Sequence, residues 1–297
     1  MTATDSAATG PTGTSRTGAG STVAGSSGSQ GRPRALITGA SAGLGREYAR
    51  QLAADGYDLV LAARGRDALD ECARELEAGF GITADVRVVD LATQEGIDDL
   101  ADLIDRVRID VLVNNAGFGL KTSMRGTDDE RLIASDMVML RAVTILSVRA
   151  ARRMEERGRG GILTVSSLAA LGAYGVYSSV KSAALLATEA LAVELADTPV
   201  TVTAVLPGFV KTEFHDRMRV RRAGPSWAWL DAEDVVAESL RDARSGAVVS
   251  VPSLRYKAVY ALAQCVPRSL VRDLSGGFGM ARRKAQARSG GRRAAGS

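Results

Sequence analysis

Between Arg34 and Pro252, short apolar segments alternate with helical segments seven times, and this order narrows the fold more than any other feature of the chain. The apolar segments are RALIT, YDLVLAA, ADVRVVDL, IDVLVNNAG, GGILTVSS, PVTVTAVLPG and AVVSVP. Between them lie GREYARQLAADG, RDALDECARELEAGF, QEGIDDLADLIDRV, two helical stretches over residues 130–145 and 146–157, VYSSVKSAALLATEALAVELAD and DAEDVVAESLRDARSG. In the second of these, Leu69, Cys72, Ala73 and Leu76 recur on one helical face. A strand that is apolar along its whole length is buried on both faces, as in a parallel sheet with helices on either side. The order predicts an α/β protein with a doubly wound, mostly parallel, seven-stranded sheet. No linker or internal repeat interrupts it, so residues 32–280 read as a single domain.

The ends have a different composition. Residues 1–31 are rich in Ser, Thr, Gly and Ala and lack the apolar run of a secretory signal, which predicts a disordered leader. Residues 281–297 carry six Arg or Lys and no acid, so setting them aside lowers the formal charge of +4 by six, to −2. The basic character therefore belongs to a disordered tail rather than to a nucleic-acid-binding face. Residues 160–180 are uncharged, but Gly, Ser, Thr and Tyr throughout argue against a membrane span. The short apolar AVYALAQCV, stopped by Pro267, either caps the fold or lies on a membrane or a partner, which makes residues 254–273 a candidate peripheral membrane contact. A single histidine, His215, argues against a His-ligated metal and against Ser-His-Asp hydrolysis. Cys72 and Cys265 follow no metal or disulfide spacing, which fits a reducing cytoplasm.

TGASAGLGRE follows the first strand and opens the first helix, with Gly39, Gly43 and Gly45 in a G-x-x-x-G-x-G spacing. Glycine allows a tight turn and close approach to a ligand. The new helix offers unpaired N–H groups to phosphate. After the first strand of an alternating chain, such a turn is expected to bind a dinucleotide, with a plain turn as the alternative. The second strand ends in LAAR, with Ala63, Arg64 and Arg66 where an NAD site often places an acid. A guanidinium pairs with a 2′-phosphate, so NADP(H) is expected over NAD(H). The stretch YSSVK sets Tyr177 and Lys181 four apart, on one face of a helix. An ammonium beside a phenol favours phenolate, which makes the pair a candidate acid/base, although ordinary surface helices carry the same spacing.

In order, TGASAGLG, Asp90 after RVV, NNAG at residues 114–117, Ser166 and Ser167, YSSVK, and Pro207 with Gly208 closely resemble the motif set of the short-chain dehydrogenase/reductase family, over about residues 34–252. The segments LAAR, RDALDECARELEA and AVVSVPSLRYKAVYALAQCVPRSLV resemble its branch of ketone, hydroxysteroid and acyl-chain reductases. The resemblance implies a Rossmann-like fold and hydride transfer between NADP(H) and a ketone, aldehyde or secondary alcohol. Tyr177 would be the general acid/base. Lys181 would lower its pKa and hold the nicotinamide ribose, and Ser167 would hydrogen-bond the substrate oxygen. The implied cofactor set is Gly39, Ser41, Ala42, Gly43, Leu44 and Gly45 in the turn, Arg64, and Asp90 with Leu91 near the adenine. It continues with Asn115, Ala116 and Gly117 on the adenosine side, then Pro207, Gly208 and Thr212, together with Tyr177 and Lys181. Helices at residues 130–157 and 176–197 would form the family's subunit interface, giving a homodimer or homotetramer. Tyr174, Phe214, Met218, Trp227 and Trp229 fall where the family's substrate loops sit; they either line a pocket for a small apolar carbonyl or alcohol, or cover the sheet.

Two features depart from the family. Met139 stands where many members carry an asparagine thought to hold a water on the lysine's proton path. It either breaks that path or simply packs the helix. The loop from Ser167 to Tyr177 has nine residues between them and is shorter than usual, and an ungapped count puts Thr164 in place of Ser167. Ser167 is preferred, because a loop shortens more easily than a strand. The departures leave a non-catalytic NADP-binding regulator or scaffold as the main alternative, and an isomerase or dehydratase on the same fold as another.

Overall fold

A computed structural model describes residues 31–120, 124–212, 226–273 and 275. The chain divides into Met1–Gly31 and Arg32–Ser297, and all described elements belong to the second unit. The leader up to residue 30 and the tail at 281–297 lie outside the described residues.

The elements are β1 (Arg34–Thr38), α1 (Gly43–Ala54), β2 (Asp58–Ala63), α2 (Arg66–Phe80), β3 (Ala84–Val88), α3 (Gln94–Arg106) and β4 (Val111–Asn114). Next come α4 (Asp129–Asp136), α5 (Ala142–Glu156), β5 (Gly160–Val165), α6 (Val176–Glu194), β6 (Val200–Val205) and β7 (Phe209–Lys211). The chain continues through β8 (Trp229–Asp231), α7 (Ala232–Arg244), β9 (Val249–Ser250) and α8 (Leu254–Cys265). The main sheet has seven strands in the order β3-β2-β1-β4-β5-β6-β9. Every pairing in it is parallel, so the sheet is more uniform than the sequence predicts. Strand order reverses between β1 and β4, which opens a crevice at the carboxyl ends of the strands.

Side chains alternate between the faces of each strand. Leu36, Leu112 and Ile162 enter one core with Ile104 of α3 and Leu146 of α5. Ile37, Val113 and Leu163 enter the other with Leu52 of α1, Leu69 of α2 and Leu240 of α7. Both faces are covered, which is why the central strands read as unbroken apolar runs. No helix among the described residues is long and apolar enough to cross a membrane.

Three features differ from the sequence expectation. The helix over 130–157 changes pitch at Met137–Arg141, where a π-helical turn joins α4 to α5, rather than near residue 145. A wider turn of this kind is set by packing and leaves no mark in a 3.6-residue pattern. Strands β7 and β8 form a second, two-stranded parallel sheet. At three residues each, they are too short to show a period. The apolar stretch at 258–266 lies in α8 up to Cys265, which leaves Leu254, Val259 and Leu262 exposed.

Candidate active site

The glycine turn is built by absent side chains. Gly39 and Gly43 adopt φ of +68° and +56°, in the left-handed region that side chains rarely enter. A Cβ on Gly39 would lie 2.9 Å from Asn115 Nδ2, and one on Gly45 would lie 2.2 Å from the Gly39 carbonyl oxygen. Helix α1 is preceded by Ala42, with no side-chain cap and no acid in its first turn. In contrast, Thr93 caps α3 and Asp128 caps α4. The first N–H groups of α1 are thus left for an anion. Asn115 holds the turn against β4: its Nδ2 donates to the carbonyls of Thr38 at 2.9 Å and Gly39 at 3.2 Å. With its amide so engaged, Asn115 positions the turn. Ser41 and Ala42 are half-buried within it. Leu44 is half-buried and packs towards Val210.

Arg64 is exposed immediately after β2. Asp90 is exposed, and its Oδ1 accepts from Ala92 N at 3.0 Å. Leu91 is buried in the core. Ala116 is half-buried and Gly117 exposed at the end of β4.

Tyr177 and Lys181 lie in the first turns of α6, on the face against β5. Lys181 is buried, its Nζ donates to the Val165 carbonyl at 2.7 Å, and it stands 5.9 Å from the centre of the Tyr177 ring. Ser167 accepts from Ala169 N at 3.1 Å and hydrogen-bonds the Tyr177 oxygen. The Ala169 N–H takes one of the two acceptor sites on Ser167 and leaves its proton available to donate. Thr164, the ungapped alternative, is buried in the sheet, and its Oγ1 has no hydrogen-bond partner. The short loop is spanned by a 3-10 turn at Leu168–Leu171 and by Gly175, whose φ of +100° starts α6.

Burial dominates the electrostatics. The Tyr177 ring is half-buried, and its desolvated phenol is pushed up to about 12, with the Ser167 hydrogen bond opposing part of that rise. Desolvation draws Lys181 down to about 8. The sequence reading had the ammonium lowering the phenol; desolvation is the leading cause at Tyr177 and acts the other way. Tyr177 is therefore a protonated donor at neutral pH, beside an ammonium that is still mostly charged.

The carboxyl end of β4 joins the two halves. A Cβ on Gly39 would touch Ala116, and one on Gly117 would lie 3.4 Å from Met139 Sδ and 3.6 Å from Lys181 Nζ. Met139 is fully buried in the π turn, facing the lysine. Residues 207–212 add a third side. Buried Pro207 accepts from Leu168 N at 3.2 Å, and a Cβ on Gly43 would lie 3.4 Å from Thr212 Cβ. Of the proposed substrate residues, Tyr174 and Trp227 are exposed, and Trp229 is buried against the Phe209 ring at 5.2 Å. Phe214 and Met218, like His215, lie outside the described residues. Sequence reasoning placed Ser166 in the motif set but gave it no role; its Oγ donates to the Lys181 carbonyl at 2.9 Å. It missed Ser178, which accepts from Tyr174 N at 3.0 Å.

A family model described as short chain dehydrogenase matches residues 33–223. A Streptomyces violaceoruber protein, named for a ketoacyl reductase of the granaticin polyketide synthase, is 36% identical over 206 residues, covering 66% of this chain and 75% of that protein. The NADP-dependent 3-hydroxy acid dehydrogenase of Schizosaccharomyces pombe is 35% identical over 191 residues, covering 60% of this chain and 72% of that one. A solved short-chain dehydrogenase from Sphingobium yanoikuyae, in complex with NADPH, aligns with a TM-score of 0.72 at 28% identity, over 78% of this chain and 94% of the other. The match spans the glycine turn, the crevice and the Tyr177 helix together, and the chain belongs to the short-chain dehydrogenase/reductase family of oxidoreductases.

Proposed function

We propose that the protein is an NADP(H)-dependent oxidoreductase that interconverts a ketone or aldehyde and its alcohol. The observation that carries this reading is the meeting of Ser167, Tyr177 and Lys181 across Gly117 from the glycine turn. The cradle fits a dinucleotide, because its close approaches exist only where a Cβ is missing. The glycine turn and the start of α1 would hold the phosphates, and Arg64 would meet the 2′-phosphate. Tyr177 and Lys181 would hold the nicotinamide ribose, with Thr212 nearby. The NADP choice is further supported by the Schizosaccharomyces pombe enzyme's name and by the NADPH in the Sphingobium structure.

Bound NADPH supplies the hydride for the carbonyl carbon. Ser167 would donate its hydrogen bond to the carbonyl oxygen and steady the charge that develops there. Tyr177, held neutral by burial, would give that oxygen its proton. The Lys181 ammonium would stabilise the phenolate left behind. In the oxidative direction, Tyr177 takes the proton back from the alcohol.

The same reading includes a small apolar substrate beside Tyr174 and Trp227, whose rings are exposed. It includes a homodimer or homotetramer through α4–α6, where Ile133, Leu186 and Val193 are exposed. A cytoplasmic setting fits the two free cysteines, and α8, with Leu254 and Leu262 outward, suits a peripheral membrane contact. The test is to incubate the protein with NADPH and a panel of carbonyl compounds and to follow cofactor absorbance. Consumption of NADPH over NADH is expected, with the preference reversed in Arg64→Asp. If NADPH binds but no carbonyl compound is reduced, the nucleotide-binding regulator is the better reading.

A further inference from the structure

Residues 207–212 touch both halves of the site, yet they are held from outside the sheet. Tyr256, on α8, accepts from Phe209 N–H at 3.2 Å and donates to the Ala228 carbonyl at 2.6 Å. Strands β7 and β8 pair from Phe209 and Trp229 onwards, so one hydroxyl bridges the start of both strands. A Cβ on Gly208 would lie 2.1 Å from Tyr256 Cζ, so the phenol ring lies directly against the Gly208 backbone. The ring also packs beside Val210 and Leu230. Filling space alone needs only a phenylalanine. Here the donor and the acceptor of one hydroxyl are both used, on backbone groups of two separate segments.

From this geometry we infer that Tyr256 is a positioning residue for the cofactor and substrate site, an inference that rests on the oxidoreductase reading. It sets where Gly208 and Phe209 run. Pro207, which holds Leu168 beside Ser167, and Thr212, which lies against Gly43, flank them in the chain. The segment after α8 acts on the neighbouring loop: Arg268 Nη1 donates to the Leu171 carbonyl at 3.2 Å, and Ser275 Oγ accepts from Ala173 N at 3.1 Å. Tyr256 thus braces the Gly208 segment, and Arg268 and Ser275 brace the loop before Tyr177.

Tyr256→Phe keeps the ring and removes only the bridge. Phe209 is exposed, so its N–H has water to turn to and the variant folds, with melting lowered by roughly 2–4 °C. The expected functional effect is a rise of about fivefold to tenfold in the NADPH dissociation constant and in the KM for the carbonyl compound, the scale of a lost hydrogen bond, with kcat changed less than about threefold. Amide exchange over residues 208–212 should quicken by at least about tenfold. Gly208→Ala should weaken NADPH binding in the wild type, and should do so less in Tyr256→Ala, where the colliding ring is gone. Exchange, dissociation constant and KM all within twofold of wild type in Tyr256→Phe would overturn the inference, leaving Tyr256 a packing residue. A wild type that binds no NADPH would instead remove the oxidoreductase reading and the cofactor role with it, whereas unchanged exchange removes the positioning role whatever binds.

Discussion

The β1–α1 turn and the β5–α6 turn do the same topological job with opposite materials. Each leaves the carboxyl end of a buried parallel strand and starts a helix beside the crevice. The first is shaped mainly by backbone and by missing atoms, with the Asn115 amide tying it to β4: positive φ at Gly39 and Gly43, no side-chain cap at Ala42, and no room for a Cβ on Gly45. The second is held by side chains. Ser166 bonds the Lys181 carbonyl, Ser167 caps the 3-10 turn, Ser178 ties Tyr174 N to the Gly172 carbonyl, and Ser182 bonds the Ala170 carbonyl. A surface that admits phosphate must leave its N–H groups unused. A surface that moves a proton must hold a hydroxyl and an ammonium in fixed places, and only a network of other side chains does that.

The contrast breaks most sharply at Tyr177. Tyr177→Phe removes one oxygen from the side-chain-built turn and none from the backbone-built one. Turnover should fall by roughly 10²-fold or more, the usual worth of a positioned acid. NADPH should still bind, weakened by no more than about tenfold for the one lost ribose contact, because the glycine turn is untouched. Steady-state rates with a substrate the wild type reduces, set beside fluorescence titration of NADPH, measure the two separately. A variant that reduces the substrate as fast as wild type would make Tyr177 an ordinary helix tyrosine.

Gly45→Ala tests the other turn. The new Cβ would meet backbone at 2.2 Å and Asn115 Nδ2 at 2.4 Å, so the turn must open. Overpacking of this kind costs about 1–3 kcal/mol. NADPH affinity should fall by about tenfold or more, while the Ser167–Tyr177 pair stays in place. The control is Gly79→Ala within α2, where nothing lies within 4 Å of the added Cβ. That change should raise stability by about 0.5–1 kcal/mol, since alanine is the better helix former. Equal effects of the two substitutions on NADPH binding would mean that the turn is not held by its missing side chains.

The same contrast explains what was legible in the sequence. The central sheet strands read clearly because burial on both faces leaves one kind of residue in each, whereas the exposed edge strand β3 carries Asp85 and Arg87 among its apolar residues. The glycine turn read clearly because a backbone constraint writes itself as Gly at fixed spacing. Tyr177 and Lys181 read as a pair because helical spacing alone puts them on one face. The short loop left Ser167 and Thr164 in competition, and what separates them is a 3-10 turn and a hydrogen bond that sequence spacing does not encode. The direction of the Tyr177 shift was misread because spacing reports a neighbour's charge and not the depth of burial. Tyr256 was invisible: its partners Phe209 and Ala228 lie 47 and 28 residues away, and nothing local marks the meeting.

Burial at the side-chain-built turn should also appear in stability, without any cofactor or substrate. Lys181 sits near 8 in the folded protein against 10.5 when unperturbed. Between those values the unfolded chain binds more protons at this site than the folded one, so stability rises with pH through that window. The penalty is full below about pH 8, where the buried amine is charged, and is relieved as it loses its proton. Tyr177 acts in the opposite sense and later: its folded value near 12 exceeds its ordinary 10, so its contribution is lost only as pH rises above 10. The buried Cys72 thiol, also raised by desolvation, acts in the same opposite sense within pH 7.5 to 9.5. Urea midpoints over that range therefore isolate the lysine as the difference between two chains that both keep Cys72. Relative to Lys181→Met, which has no proton to lose, the wild type should gain about 1–2 kcal/mol across that range. Parallel profiles would show that water reaches the Lys181 ammonium, and the β5–α6 turn would then owe its chemistry to the neighbouring charge rather than to burial.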